Sequence, residues 1–357
     1  MCPVGGVEKM IDSSFWNGKK VFITGHSGFK GMWLCKILSL LNAQIYGYSL
    51  KPEYSPNLNK ILGKSLSVIE IFNNIKNIKA LTSFIEQSQA EIVFHLAAQP
   101  LVMEGYSNPV DTYETNVMGT VNVLEAVRNI KSVKSFINVT TDKVYRNNEW
   151  YWGYKEIDTI DGYDPYSNSK SCSELVTATY RRCFLQNIAV STCRAGNVIG
   201  GGDFSENRII PDCVRAVTKN EPIIIRNPNS VRPYQHVIEP LFAYILVAQK
   251  QYENKDLQGE YNISSSNNDC ITTSELAALF CKSWGENAKC ICHEKANAPH
   301  EANVLRLDSS KIGSILGWKS KWDIETAINA TVEWYKAYYM NNDVSHLMER
   351  QITLYGF

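Results

Sequence analysis

TGHSGFKG, residues 24–31, follows a largely apolar run at 20–23 and precedes a segment with the composition of a helix. Strand, glycine-rich turn and helix in this order are typical of a dinucleotide-binding unit. Gly25 permits the tight turn, Gly28 lets a pyrophosphate approach the backbone, and Gly31 lets helix and strand pack closely. The N–H groups at the helix N-terminus then face the phosphates. The spacing is GxxGxxG rather than GxGxxG, so this pattern alone is a weak signal.

Strand-like and helical segments alternate along the first half of the chain. The predicted strands are 21–24, 43–48, 92–97, 135–140 and 189–194, and the predicted helices are 31–41, 78–87, 109–129 and 165–185. Apolar strands alternating with amphipathic helices predict an α/β fold, a Rossmann-type doubly wound parallel sheet with helices on both faces. Right-handed crossovers bring the strand C-termini to one edge, where ligands bind.

The second half is less regular. It has a glycine-dense loop at 195–203, a short predicted strand at 221–226 and predicted helices at 271–284 and 324–339. We predict a dinucleotide-binding domain over 1–194, with a later contribution from about 235–260. The remainder, 195–357, is predicted to be mainly a smaller, mixed α/β substrate-binding domain.

Composition excludes several classes of function. The 357 residues contain 36 Lys and Arg against 36 Asp and Glu, so no excess of charge marks a nucleic-acid or membrane partner. No apolar run approaches the ~20 residues that span a bilayer, and the first residues lack the pattern of a secretory signal. The ten cysteines are scattered, as are the six histidines. We therefore expect reduced thiols, a cytoplasmic protein and no metal site.

A tyrosine and a lysine four residues apart, Tyr166 and Lys170, are the strongest candidates for catalysis. On a helix they share one face. An ordinary tyrosine has a pKa of about 10, and a nearby ammonium group favours the phenolate. Tyr166 is therefore a candidate base toward an alcohol that loses a hydride. Pairs at this spacing are common by chance and usually line a solvated face, but the upstream glycine motif favours function here.

Thr141, Asp142 and Lys143 end a predicted strand, at the sheet edge where ligands collect. Thr141 can hydrogen-bond a substrate hydroxyl, and Asp142 can act as an acid if burial raises its pKa. Without the tyrosine motif, turn chemistry would be the simpler interpretation of an Asp and a Lys after a strand.

Together these motifs resemble the extended short-chain dehydrogenase/reductase family and, within it, the sugar-nucleotide dehydratases. The Thr-Asp-Lys at 141–143 is similar to that of dehydratases acting on CDP-glucose, whereas short-chain epimerases generally lack the acidic–basic pair. The resemblance spans about residues 15–340. It is most specific at FWNGK (15–19), HSGFKG (26–31), AGNVIGGGD (195–203) and RPYQHV (232–237).

The resemblance implies an NAD-dependent internal redox cycle. Tyr166, supported by Lys170, would take the proton of the sugar 4-hydroxyl while NAD accepts the hydride from carbon 4. Lys143 is the candidate base for the proton on carbon 5, and Asp142 the acid for the departing 6-hydroxyl. The hydride would then return to carbon 6, leaving a 4-keto-6-deoxy sugar nucleotide and water.

The resemblance also implies binding residues. Cofactor-binding candidates are Gly25, Gly28, Phe29, Lys30, Gly31, Ser49, Asn74, Ile75, Ala97, Ala98, Gln99, Tyr166 and Lys170. Substrate-binding candidates are Asn197, Arg208, Arg232, His300 and Glu301, with the arginines on the diphosphate. Asn74 would accept a hydrogen bond from the adenine through its amide oxygen. Ser49 stands where NAD-specific members usually carry an acid, and Lys51 would suit a 2′-phosphate, so NADP stays open.

Relatives commonly dimerise by pairing two long helices of each subunit into a four-helix bundle. The counterparts here are 109–129 and 165–185, so a homodimer is expected. Apolar residues expected beyond the sheet-facing stripe are Val117, Val121, Leu124, Leu175 and Val176. The alternative is that all of them face the sheet.

Two other functions stay open. The chain could be a dehydratase or an epimerase for another nucleotide sugar, because the residues singled out do not read the base. It could also be an inactive NAD(P)-binding sensor or scaffold, although such proteins typically lose the tyrosine–lysine pair.

Overall fold

The computed structural model describes residues 10–265, 270–285, 288–292 and 304–356. The strands are β1 (Lys20–Thr24), β2 (Gln44–Ser49), β3 (Val68–Phe72), β4 (Ile92–His95), β5 (Ser135–Val139), β6 (Ala189–Ala195), β7 (Val198–Ile199), β8 (Ile223–Ile225), β9 (Val231–Pro233), β10 (Gln235–His236), β11 (Glu260–Ile263), β12 (Cys270–Thr272) and β13 (Cys290–Cys292). The helices are α1 (Ser13–Trp16), α2 (Phe29–Leu40), α3 (Leu58–Leu62), α4 (Ile78–Ser88), α5 (Val102–Ser107), α6 (Pro109–Tyr113), α7 (Gly119–Arg128), α8 (Pro165–Cys183), α9 (Ile209–Thr218), α10 (Ile238–Glu253), α11 (Thr273–Trp284), α12 (Ser310–Leu316), α13 (Ile324–Tyr339) and α14 (Val344–Gly356).

A seven-stranded sheet with the order β11-β6-β5-β4-β1-β2-β3 forms the centre of the molecule. Every strand pair in it is parallel. The chain proceeds from β1 to β3 on one side and then crosses to β4 on the other. The sheet therefore reverses its order between β1 and β4, which is where a Rossmann sheet binds its ligand. The predicted α/β class and parallel sheet are confirmed.

Both faces of the sheet are buried at its central strands, as the apolar strand sequences predict. Along β1, Val21 and Ile23 pack into one core cluster with residues of α2 and α10. Phe22, between them, packs into the opposite cluster with residues of α4 and α7. This alternation follows from the two-residue period of a strand, so one short apolar run serves two cores.

The predicted elements of the first half are found with shifts of a few residues at their ends. Helix α2 begins at Phe29, two residues before its prediction, because Gly28 occupies the N-cap position. Strands β4 and β5 end before their predicted limits, and the residues that follow line a cleft. Strand β3 was not predicted. It lies at the sheet edge with most of its side chains exposed, although four of its five residues are apolar.

The predicted helix 109–129 is interrupted by a π-helical turn, Glu114–Met118, between α6 and α7. This turn directs Asn116 toward two neighbours, so that its Nδ2 donates to the Gln99 carbonyl oxygen (3.0 Å) and to Ser169 Oγ (2.9 Å). A π turn widens the helix locally and is frequent at functional sites. Here it links the segment after β4 to α8.

The second half builds two-stranded pieces around the cleft, β7 with β10, β8 with β13 and β9 with β12. It also returns to the large sheet, since β11 pairs with β6 and α10 packs against β5 and β6. The domain boundary at 194/195 stays a prediction. Among the described residues, no helix is long and apolar enough to cross a membrane.

Candidate active site

A cleft of about 1760 Å³ runs along the C-terminal edge of the sheet. The predicted site residues that line it are Gly25, Gly28, Phe29, Lys30, Gly31, Ser49, Asn74, Ile75, Ala97, Ala98, Thr141, Lys143, Tyr166, Lys170, Asn197, Arg208 and Arg232. Asp142 and Gln99 lie behind its surface. His300 and Glu301 fall outside the described residues. One cavity thus gathers groups that are up to about two hundred residues apart in the chain, because parallel strands end at the same edge.

The glycine turn fits a dinucleotide pyrophosphate. Gly25 has a φ of +74°, and a Cβ there would lie 2.7 Å from the Ala97 nitrogen. A Cβ on Gly31 would lie 2.2 Å from the Gly25 carbonyl oxygen. A Cβ on Gly28 would have its nearest neighbour 3.4 Å away, so that residue leaves open space toward the cleft. No side chain caps the first turn of α2, which leaves its N–H groups for an anion.

The end of β2 offers hydroxyl groups to a cofactor ribose. Ser49 is buried and donates a hydrogen bond to Ser27 Oγ (2.8 Å), which donates to the Leu50 carbonyl oxygen (3.0 Å). Lys51 is exposed at the rim of the cleft. The amide oxygen of Asn74 accepts from the Lys76 backbone nitrogen (2.9 Å) and thereby closes the local turn. Its second lone pair can still accept a hydrogen bond, so the contact with adenine stays a prediction.

Gln99 supports the loop after β4 rather than facing the cleft. Its side chain donates to Thr112 Oγ1 (2.8 Å) and accepts from the Leu101 nitrogen (2.5 Å). Its own backbone nitrogen donates to Asn116 Oδ1 (2.8 Å). These contacts shape the wall formed by Ala97 and Ala98.

Tyr166 lies in the first turn of α8, which begins with Asp164 as N-cap and Pro165 as first residue. The ring is almost fully buried, and burial raises the pKa of Tyr166 to about 12, although its hydrogen bond with Thr141 opposes the rise. Burial is the dominant cause, because it disfavours the charged phenolate. That Lys170 favours the phenolate stays a prediction.

Lys170 faces the same cleft and donates from Nζ to the Val139 carbonyl oxygen (3.1 Å). Burial lowers its pKa to about 8, while the carboxylate of Glu174, one helical turn away, acts in the opposite direction. Since this pKa lies about one unit above neutral pH, Lys170 is largely protonated there. A small change in its surroundings can therefore change its charge.

Asp142 is 1% exposed and opens a short 3-10 turn, Asp142–Val144. Its Oδ1 accepts from Thr141 Oγ1 (2.9 Å), and no described residue donates to its Oδ2. Burial raises the pKa of Asp142, and the positive charges of Lys143, Arg232 and Lys30 only partly offset that effect. A buried carboxyl group with a free oxygen beside the cleft is suited to donate a proton.

The far end of the cleft is cationic. Arg208 pairs with Asp203 (3.0 Å), and Arg232 is buried and donates to the Val231 carbonyl oxygen (2.9 Å). Arg226 also lines this end and pairs with Asp212 (2.9 Å). Arg226 was not among the predicted substrate-binding residues, although it follows β8 directly and the end of a strand is a common place for a binding residue. Guanidinium groups bind phosphate oxygens well, so this end suits a diphosphate.

A family model described as GDP-mannose 4,6 dehydratase matches residues 22–331. The chain belongs to this family. A CDP-glucose 4,6-dehydratase of Salmonella typhimurium is 42% identical over 354 residues, which cover 97% of this chain and 98% of that protein. A probable dTDP-glucose 4,6-dehydratase of Sinorhizobium fredii is 27% identical over 88% of this chain and 92% of its own length.

Solved structures with the same fold include two nucleotide-sugar enzymes. A UDP-glucose 4-epimerase of Thermotoga maritima superposes with a TM-score of 0.78 at 21% identity, covering 89% of this chain and 99% of its own. A dTDP-glucose 4,6-dehydratase of Bacillus anthracis in complex with NAD superposes with a TM-score of 0.75 at 20% identity, covering 92% and 100%. At this identity the likeness establishes the fold.

We expect Asp142→Asn to stabilise the protein at pH 7. Because burial raises the pKa of the folded-state carboxyl, its ionisation costs stability as the pH rises above about 4, the unfolded value. The amide carries no charge and avoids this cost. Thermal unfolding should show a higher melting temperature for the variant at pH 7 and no gain near pH 3.5.

Asp323→Asn is the matched control. Asp323 caps α13 by accepting from the Thr326 nitrogen (2.8 Å), and this contact lowers its pKa, so its charge stabilises the fold at pH 7. The control should not gain stability. An equal gain for Asp142→Asn at both pH values would contradict the electrostatic explanation.

Proposed function

We propose that the chain is a hydro-lyase that converts CDP-glucose to CDP-4-keto-6-deoxyglucose and water, with NAD as an internal hydride carrier. The observation that carries the proposal is the convergence of Thr141, Asp142, Lys143, Tyr166 and Lys170 at one cleft of a dehydratase-family chain. The 42% identity to the Salmonella typhimurium enzyme over nearly the whole chain favours CDP-glucose as the substrate.

NAD fits the glycine turn end of the cleft. Gly28 leaves room for the pyrophosphate against the first turn of α2, and Ser27 and Ser49 present hydroxyls to the ribose. Ile75 and Ala97 line the same end. When bound, NAD accepts a hydride from the sugar and later returns it. We propose NAD because a dTDP-glucose 4,6-dehydratase of the same fold is in complex with NAD.

Tyr166 is the proposed acceptor of the proton from the sugar 4-hydroxyl. Thr141 hydrogen-bonds the phenolic oxygen and can hold the same sugar hydroxyl in line with it. Since burial holds the pKa of Tyr166 at about 12, the phenolate needs a compensating positive charge. Lys170, on the same face of α8, is placed to supply it.

Asp142 and Lys143 are proposed for the elimination step. Once carbon 4 is a ketone, the proton on carbon 5 becomes acidic, and the Lys143 amine, which lines the cleft, is the proposed base for it. Asp142 would give its proton to the departing 6-hydroxyl, consistent with the raised pKa of that buried carboxyl. Arg208, Arg226 and Arg232 would hold the diphosphate, with Asn197 nearby.

The test is to incubate the purified protein with CDP-glucose, with and without added NAD, and to follow the mass of the sugar nucleotide. We expect a product lighter by one water and no net NADH. Unchanged CDP-glucose in the presence of bound cofactor would reject this substrate, and a panel of UDP-, dTDP- and GDP-sugars would then identify another dehydratase or an epimerase. If the protein converts none of these sugar nucleotides, the remaining interpretation is a non-catalytic binding protein.

Tyr166→Phe should reduce kcat by ~10²–10⁴-fold, because it removes the proposed proton acceptor. Tyr151→Phe, at a residue 90% exposed, is the control and should leave kcat unchanged.

Lys143→Met should block elimination. In deuterated water the unaltered enzyme should introduce solvent deuterium at carbon 5, since the proton removed there exchanges through the base. The variant should lose this incorporation and ~10²-fold or more of kcat. Lys131→Met, at an exposed lysine away from the cleft, is the control. Normal deuterium incorporation by the Lys143 variant would assign the base to another residue.

We propose a homodimer formed through the outer faces of α6–α7 and α8. Leu175 on α8 is 57% exposed, and Met118 beside α7 is 52% exposed. Val117, Val121 and Val176 are partly buried. Leu124 and Val176 were expected on the outer face, but Leu124 packs fully into the core under the sheet, and Val176 packs against the same core cluster. The remaining apolar residues give these helices a second face that a four-helix bundle would cover.

Light scattering should give the mass of a dimer for the unaltered protein and of a monomer for Leu175→Asp. Leu354→Asp changes a leucine that is 73% exposed on α14 and should leave the dimer intact. A monomeric unaltered protein would refute the proposed interface.

We also propose a cytoplasmic location, which the free thiols of the nine described cysteines support.

A further inference from the structure

A buried ion pair lies directly behind the cleft and takes no part in the proposed chemistry. Glu174 on α8 and Arg194 on β6 are 2% and 1% exposed. The guanidinium donates from Nε to Glu174 Oε1 (3.0 Å) and from Nη2 to Oε2 (2.9 Å). Such a two-point contact fixes orientation as well as distance. It therefore sets the position of α8 relative to the sheet.

The same carboxylate also binds the segment that carries the proposed acid. Thr140 donates to Glu174 Oε1 (2.5 Å), and Thr192 donates to Oε2 (2.7 Å). Thr140 immediately precedes Thr141 and Asp142. One carboxylate thus joins α8, the end of β5 and β6.

Arg194 extends the network on its other side. Its Nη1 donates to the Tyr145 hydroxyl (2.7 Å) and to the Glu156 carbonyl oxygen (3.1 Å). The Tyr145 hydroxyl in turn donates to Asn262 Oδ1 on β11 (2.7 Å). Both ends of the 3-10 turn that carries Asp142 and Lys143 are consequently tied to the same ion pair.

Glu174 is also the carboxylate one helical turn from Lys170, on the same helix face. Its charge raises the pKa of Lys170 against the effect of burial. From α2, the positive charge of Lys30 repels that of Lys170. From β4, His95 contributes no charge, because burial and Lys170 lower its pKa to about 3. Tyr166, on α8 itself, is neutral at pH 7, since burial raises its pKa to about 12.

We propose that Glu174 is a positioning residue that acts through Lys170 and Thr140. It keeps the ammonium group of Lys170 charged beside Tyr166, and it holds Thr141 and Asp142 at a fixed place relative to α8. The catalytic part of this inference rests on the proposed dehydratase function. The effect of Glu174 on the charge of Lys170 can be measured without any substrate.

The first measurement is the pH dependence of trace acetylation of Lys170 by acetic anhydride, quantified by peptide mass spectrometry. Only the neutral amine reacts, so the profile reports the protonation of Lys170 without any substrate. Glu174→Gln should move the midpoint about one pH unit lower, a tenfold loss of proton affinity. Glu239→Gln removes another buried carboxylate, which binds the Tyr355 hydroxyl far from the cleft, and should leave the midpoint unchanged.

Glu174→Gln leaves Arg194 buried without its counter-charge and can unfold the protein. The double variant Glu174→Gln/Arg194→Met removes both charges and serves in that case. Its midpoint should also be lowered, but by less than in Glu174→Gln, because the uncompensated positive charge of Arg194 is absent. Arg194→Lys keeps the carboxylate but loses the two-point contact. It should leave the midpoint in place and reduce kcat several-fold.

The second measurement is the pH profile of kcat/KM with CDP-glucose. Since Lys170 must stay protonated, the basic limb should move to lower pH in Glu174→Gln by the same amount as the acetylation midpoint. A folded variant with an unchanged midpoint would overturn the inference. If the unaltered enzyme does not convert CDP-glucose, the proposed function fails, and the acetylation result still decides the role of Glu174.

Discussion

The close approach of α2 to the turn after β1 is the contact on which the cleft depends. A side chain at Gly31 would collide with the carbonyl oxygen of Gly25, and one at Gly25 would collide with the backbone of Ala97. Only glycine allows the helix to start directly over the end of the strand. The first turn of α2 therefore points into the space where the sheet reverses its strand order, and the other loops surround that space.

Behind the cleft, buried polar groups are stabilised by pairing with one another. His95 bonds Thr24 Oγ1 (2.7 Å) and Thr120 Oγ1 (3.0 Å), and Thr120 continues to Ser173 on α8 (3.0 Å). Asn138 on β5 joins the chain by donating to the same Ser173 (2.9 Å). Leaving these groups unpaired at this depth would be costly, so the network favours the observed register of α8 on the sheet. Asn138 Oδ1 is the exception, since no described residue donates to it. Because Tyr166 and Lys170 lie on α8, this register sets their positions at the cleft.

Burial works on the charges of the site in opposite directions. It raises the pKa values of Tyr166 and Asp142, and it lowers those of Lys170 and Lys30 toward about 8. For Asp142, Lys170 and Lys30, burial moves the pKa toward physiological pH. For Tyr166 it moves the pKa away from physiological pH. That exception explains why a positive charge beside the phenol matters. A carboxyl group with a raised pKa and lysines with lowered pKa values can coexist in one cleft, because desolvation penalises the charged form of each.

The amino-acid sequence was enough to predict the order of strand, glycine turn and helix, the parallel sheet, and the placement of residues 141–143, Tyr166 and Lys170 at one edge. These follow from local patterns and from the shared direction of parallel strands. Tertiary structure alone decided that Asp142 keeps one oxygen unpaired, that Gln99 turns away from the cleft, and that the Asn74 oxygen closes a turn. It also decided the π turn at 114–118, the core position of Leu124 and the raised pKa of Tyr166. Burial and hydrogen-bond partners come from elements distant in the chain, and no local pattern of residues encodes them.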